Sequence, residues 1–430
     1  MFPPIGNNTS STTTSYKVVL PFYIYAALMF LSATTFLVLK TNDITKHYFQ
    51  PYTLAITHMM ALGWGTMIIL GASHQLVPVL IEGRLFSNGL AYASFVLAAT
   101  GIPMLIYGFF SFDMGWPAQC GGELIITAII CFLMNIGISI IKSKTESVHA
   151  IFVFTASVWL LLTALIGLLL IYNFQYHFLP DDSIEYLPLH AHLGVAGWFL
   201  LLIIGVGSRL IPMFLISKYS NVSILWWIYS LINAGLITFI IIFLNNLRRQ
   251  FFSIPILLIT TGVLLFACYC YRGYKERIRK KVDEQMKMSL LAVIMMILPI
   301  IFLVFIILLL LITSSENINL IIAYGFVIFF GWITAIILGM TFKTLPFIIW
   351  NKVYHHLAGK HKTPNPKDLF SAGVFKWMSL SFIAGFALFV CAVLLKIPFI
   401  LKPAVFLLLI TAFLYNWNVL KLLLHKPVLL

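Results

Sequence analysis

A chain of 430 residues in which 61% of the side chains are hydrophobic and 9% charged lies far from the roughly 45–50% and 25% of soluble globular domains, which excludes an ordinary water-soluble enzyme or binding module. The net charge of +14 sits in the connections between apolar runs, and this argues for membrane topology and against nucleic acid. Five cysteines with no CxxC pair and no CxxCH offer neither a disulfide framework nor a covalent heme anchor.

The first sixteen residues are polar and Ser/Thr-rich, and no cleavable signal peptide is expected because the first apolar run is already a full span. Runs long enough to cross the hydrocarbon, about 20 residues each, fall at 17–40, 52–80, 88–111, 122–142, 149–172 and 187–217. Six more fall at 222–245, 253–272, 288–312, 318–349, 372–395 and 397–421. The expected fold is therefore an all-α polytopic membrane protein of twelve transmembrane helices, in contact with lipid, forming a single membrane domain over 1–430. With the N-terminus in the cytoplasm, all but six of the 27 Lys and Arg fall on the inner side, the exceptions being Lys40, Lys46, Arg248, Arg249, Lys396 and Lys402. The positive-inside rule then puts both termini in the cytoplasm. Basic stretches 271–287 and 351–367 become cytoplasmic loops, the second carrying His355, His356 and His361, while Asp181, Asp182, Glu185 and the turn 314–319 lie outside.

A phrase of fixed spacing, Gly-Trp-x6-Gly-x6-Pro, occurs three times, 134 residues apart: Gly63-Trp64 with Gly71 and Pro78, Gly197-Trp198 with Gly205 and Pro212, and Gly331-Trp332 with Gly339 and Pro346. Such a period identifies an internal repeat, with copies at 17–142, 149–272 and 288–421. Four spans per copy return the chain to its starting side, so the expected arrangement is three parallel four-helix repeats in pseudo-threefold array. The rhyme continues in Phe86-Ser87-Asn88, Tyr219-Ser220-Asn221 and Phe370-Ser371-Ala372. The repeated Gly, Trp and Pro read as scaffold, because small residues let membrane helices approach closely.

What breaks the symmetry is histidine. Five residues before the repeated Gly stand His58, His192 and Phe326; seven before it stand Ile56, His190 and Tyr324. An imidazole inside an apolar span is costly without a partner, and three at one depth form a site hypothesis by default. At 3.6 residues per turn, His190 and His192 point about 200° apart and cannot grip one ion together. They suit flat cofactors slotted between neighbouring helices, with axial imidazoles from each side, as in a bis-histidine heme. Zinc would want several N or S ligands converging on one point, and the sequence offers no such cluster.

The stretch from Leu189 to Trp198, Leu-His-Ala-His-Leu-Gly-Val-Ala-Gly-Trp, resembles the tenth-helix segment of subunit I of the heme–copper oxidases, the C-type branch in particular. The likeness extends to the twelve-helix, three-copy plan. Arg209-Leu-Ile-Pro-Met-Phe214 is similar to an Arg-x-x-Pro-x-Phe phrase of the NnrS heme-binding membrane proteins. In the oxidases the first His of the pair binds the high-spin heme, and the second binds the low-spin heme together with a ligand from the second helix. Here the His-x-His lies on the sixth span, the tenth offers only Tyr324 and Phe326, and residues 221–244 contain no histidine where the oxidases bind copper. No copper site is expected.

Rotating the ligand map by one copy pairs His58 with His190 on one heme. It leaves His192 toward Tyr324, where a second heme with an open face would sit; a pair made by His58 with His192 stays open if the helices rotate. The resemblance implies one or two hemes, b-type, and electron transfer or the binding or reduction of dioxygen or nitric oxide in a bacterial cytoplasmic membrane, with cytochrome c or quinol as redox partner. An active enzyme of this kind would be a heme-dependent oxidoreductase of the heme–copper oxidase type. The alternative is a cofactor-free transporter or a metal or substrate sensor using the same histidines. Mid-span carboxylates are missing, which lowers both proton pumping and proton-coupled transport. Gln75, Arg209 and Lys343 recur at the inner end, where Arg209 and Lys343 are expected to snorkel to the interface; His74 is expected there too, and His177 in an outer loop.

Overall fold

The computed structural model describes residues 14–313, 315–358 and 361–427. Outside the described residues fall most of the polar N-terminal stretch, Ser314 of the turn 314–319 and two residues of the basic loop 351–367. Among the described residues there are twelve helices long and apolar enough to span a membrane: α1 Tyr16–Leu39, α2 Pro51–Leu80, α3 Asn88–Ser111, α4 Trp116–Ile141, α5 Val148–Tyr176 and α6 Leu187–Leu215, then α7 Val222–Leu244, α8 Arg249–Lys275, α9 Glu284–Thr313, α10 Ile318–Tyr354, α11 Ala372–Leu394 and α12 Pro398–Leu423. The chain is an integral multi-span membrane protein. Its helices match the apolar runs of the sequence to within a few residues at most ends, because in lipid a spanning segment must satisfy its own backbone and helix is the local way to do so.

The Phe-Ser-Asn rhyme acquires a physical meaning as a set of helix starts. Ser87, Asn221 and Ser371 each accept a hydrogen bond from the backbone N–H three residues on, at 3.2, 3.1 and 3.4 Å, covering donors that the first turn leaves free. Asn135 of α4 and Asn418 of α12 clasp the Ser87 and Ser371 backbones, each accepting its N–H and donating to its carbonyl at 2.9–3.0 Å. The third and eleventh helices are thereby tied at their N-caps to the helix that follows each.

Within each third the pairings recur. α1 packs on α2, α5 on α6 and α9 on α10, while α3 packs on α4, α7 on α8 and α11 on α12; α12 packs back on α1. α2, α6 and α10 are buried over most of their length and the other nine over less than half. The repeated second glycine explains the first set of contacts. A Cβ at Gly71, Gly205 or Gly339 would lie 2.6, 2.3 or 2.3 Å from Phe22, Phe152 or Ser289 of the preceding helix, so glycine is what allows these helices to touch.

The first two repeated tryptophans link the three most buried helices. Trp64 Nε1 donates to Thr334 Oγ1 of α10 at 3.2 Å, and Trp198 Nε1 donates to Thr66 Oγ1 of α2 at 3.0 Å. Leu200 occupies the corresponding position of α6, and the buried Nε1 of Trp332 has no hydrogen-bond partner among the described residues. Each of the three helices also widens into a π-helical stretch that contains its Gly-Trp, at Met59–Thr66, Leu193–Leu200 and Val327–Ile333.

Two polar positions differ from the sequence expectation. Arg209 is exposed, but Lys343 is buried and ion-paired with Asp283. Asp283 caps α9 by accepting the Met286 N–H at 3.1 Å and also receives Arg279 at 3.2 Å; the close α9–α10 packing at Gly339 brings this carboxylate over Lys343. His74 is fully buried, not interfacial, because Phe22 of α1 and Phe132 of α4 cover it at ring-centre distances of 5.4 and 5.2 Å. Pro78 supplies no N–H to the His74 carbonyl, and the Thr14 hydroxyl donates to it at 2.6 Å.

Candidate functional site

All three symmetry-breaking histidines stand on the first turns of α2 and α6, before the π-turns. α2 begins at Pro51 and α6 carries Pro188 in its first turn, where a missing N–H costs nothing. His58 lies seven residues into α2 and His190 three residues into α6, and their rings meet between the two helices. The short α-helical stretch Leu187–His192 keeps ordinary helical geometry between His190 and His192, so the two rings leave opposite flanks of α6.

His58 meets His190 across the α2–α6 gap, with ring centres 6.3 Å apart and planes 21° from parallel. Two imidazoles bound to one metal from opposite sides, at about 2 Å each, have ring centres roughly 6 Å apart. His58 Nδ1 lies 2.8 Å from the Leu54 carbonyl and His190 Nδ1 3.0 Å from the Thr163 carbonyl. A carbonyl only accepts, so each Nδ1 carries the proton and each Nε2 presents a lone pair. No hydrogen bond to either Nε2 is found among the described residues. Carbonyl contacts of this kind fix the orientation and tautomer of a metal-binding imidazole.

The surroundings leave room for the rings. Gly167 of α5 lies against His190, where an added Cβ would stand 2.7 Å from Cε1. Phe109 of α3 packs on His58 at 4.5 Å between ring centres. Both histidines line one continuous cavity of about 720 Å³, within the roughly 300–1,000 Å³ of small-molecule and cofactor sites. Its walls are mostly Leu, Ile, Phe and Ala, and its charged residues, Glu185, Arg249 and Glu316, stand at the ends of spans. Tyr48 donates to Glu316 at 3.0 Å there.

His192 lines the same cavity but faces another partner. Its Nδ1 lies 2.7 Å from the Pro188 carbonyl, and its Nε2 lies 3.2 Å from the hydroxyl of Tyr324 on α10. Phe239 of α7 packs beside it at 5.3 Å between ring centres. His58 therefore stands with His190, and His192 with Tyr324; His177 is exposed at the end of α5. Among the described residues no group of three or more His, Cys, Asp or Glu comes together as a metal cage. The donor set is paired imidazole in an apolar slot, which fits the axial ligation of a planar iron cofactor and fits a three- or four-ligand zinc site poorly.

Sequence reasoning missed Gly167, the Thr163 carbonyl and the π-turns. Gly167 carries no repeat partner among the glycines of the Gly-Trp phrase, and a backbone acceptor on another helix leaves no trace in side-chain pattern.

The fold and site together define a twelve-span, all-helical membrane protein with a paired-imidazole cavity. No known protein-family model matches the chain, and no curated protein matches it.

Proposed function

We propose that this chain is a heme-binding integral membrane protein similar to subunit I of the heme–copper oxidases, without the copper site. Its role is electron transfer or the binding or reduction of dioxygen or nitric oxide. The membrane is a bacterial cytoplasmic membrane with both termini inside, which sets the histidines in the outer third, within reach of a redox partner such as cytochrome c or a quinol. His58 and His190 hold a b-type heme between α2 and α6. The observation that carries this reading is their 6.3 Å ring spacing with both Nδ1 atoms engaged by backbone carbonyls.

Bound there, heme supplies a one-electron iron couple. The chain's own residues do the rest. Leu54 and Thr163 carbonyls hold the imidazoles in the ligating tautomer, Gly167 makes space for the His190 ring, and the apolar walls keep water away. Exclusion of water lowers the local dielectric, so fixed charges nearby weigh more heavily on the site than they would at the surface.

The test is a pyridine hemochrome assay on the full-length chain purified from heme-replete cells, with a reduced-minus-oxidised spectrum. A Soret band with b-type hemochrome supports the reading. A colourless protein overturns it and favours a transporter or sensor.

A further inference from the structure

The three imidazoles are prepared alike and used differently. In each, Nδ1 is engaged by a carbonyl, from Leu54, Thr163 or Pro188, so each offers Nε2. At His58 and His190 nothing in the described chain takes that lone pair. At His192 the phenol of Tyr324 donates into it at 3.2 Å, with the two rings 6.1 Å apart and 28° from parallel. An iron on that nitrogen would stand about 2 Å away, in the space between Nε2 and the Tyr324 hydroxyl. The phenol oxygen leaves no depth there for an iron and its porphyrin plane.

We infer that Tyr324 holds His192 off iron, so that the chain carries a single, six-coordinate heme on His58 and His190 and works as an electron carrier with no open face for dioxygen or nitric oxide. The inference rests on the heme reading above and decides between its two roles. Cavity size agrees, since about 720 Å³ is shared by both imidazole pairs and suits one cofactor-sized occupant. Tyr324 is a specificity-determining residue in this scheme. It satisfies a part-buried acceptor whose alternative use would be ligation.

The experiment measures heme per chain and carbon monoxide binding to the reduced, full-length protein. Wild type is expected to hold one heme per chain, with a low-spin spectrum that carbon monoxide leaves unchanged. His192→Ala is expected to keep one heme and the same spectrum, whereas Tyr324→Phe frees the His192 Nε2 and is expected to add a high-spin, carbon monoxide-reactive component that is lost again when His192→Ala is combined with it. His58→Ala and His190→Ala, each stripped of one axial ligand, are expected to become high-spin and carbon monoxide-reactive where heme is retained. Two hemes per wild-type chain, a wild-type Soret band shifted by carbon monoxide, or a loss of heme in His192→Ala overturns the inference while leaving heme binding intact. If His192→Ala does not fold, the wild-type measurements decide the question. A colourless wild type sinks the heme reading itself.

Discussion

His190 and His192 stand two residues apart on α6, yet they belong to different regions of the molecule. On the α2 side, His190 faces His58 with Gly167 behind it; on the α10 side, His192 faces a hydroxyl beside Phe239. Residue type is identical, and each Nδ1 is engaged by a backbone carbonyl, Thr163 of α5 for His190 and Pro188 of α6 itself for His192. What differs is the atom opposite Nε2, and that atom comes from a helix far away in sequence. The chemistry of an imidazole in a membrane bundle is thus set by the neighbour its helix face meets.

The largest expected effect attacks the α2 side of that comparison. His58→Ala or His190→Ala should abolish the low-spin b-type spectrum, whereas His192→Ala should not, read by reduced-minus-oxidised spectra at equal protein. An equal loss in all three would erase the distinction between the two faces. Next comes the space behind His190. Gly167→Ala puts a methyl 2.7 Å from Cε1, and overpacking costs of about 1–3 kcal/mol should lower heme retention roughly tenfold, measured as heme per chain after dilution.

Smaller effects sharpen the contrast among the three copies. Thr66→Val leaves Trp198 with a buried, unpaired N–H, as Trp332 already is, and should lower stability by about 1–3 kcal/mol. A thermal midpoint in detergent would show it. Trp332→Phe removes a donor that has no acceptor among the described residues and should cost less than Trp198→Phe by about 1 kcal/mol; equal costs would mean that leucine at position 200, where the other two copies carry threonine, is without consequence. Smallest in stability is Tyr324→Phe, which forfeits one neutral hydrogen bond of about 0.5–1.5 kcal/mol and is expected to lower the thermal midpoint slightly.

Much of the architecture was legible because lipid makes it so. A backbone in hydrocarbon has no water to bond, so each long apolar run becomes one helix, and run boundaries in the sequence become helix boundaries in space. The 134-residue period likewise exposed the positions of Gly71, Gly205 and Gly339, whose role as contact points follows from their lack of a side chain. Lys343 and His74 were misplaced by the same reasoning. Depth along a helix says how far a group lies from the interface, but a carboxylate such as Asp283 or an aromatic lid such as Phe22 and Phe132 arrives from another helix.

The sequence by itself determined that the chain has twelve helices long and apolar enough to span a membrane, that His58, His190 and His192 fall five or seven residues before the repeated Gly, and that the last two point apart. Local rules suffice for these, namely hydropathy, period and 3.6 residues per turn. Tertiary structure alone decided which imidazole meets which partner, that Gly167 clears space for one ring and that Tyr324 engages another. Those outcomes depend on helix rotation and on contacts between residues of different helices, and no local pattern in the chain records either.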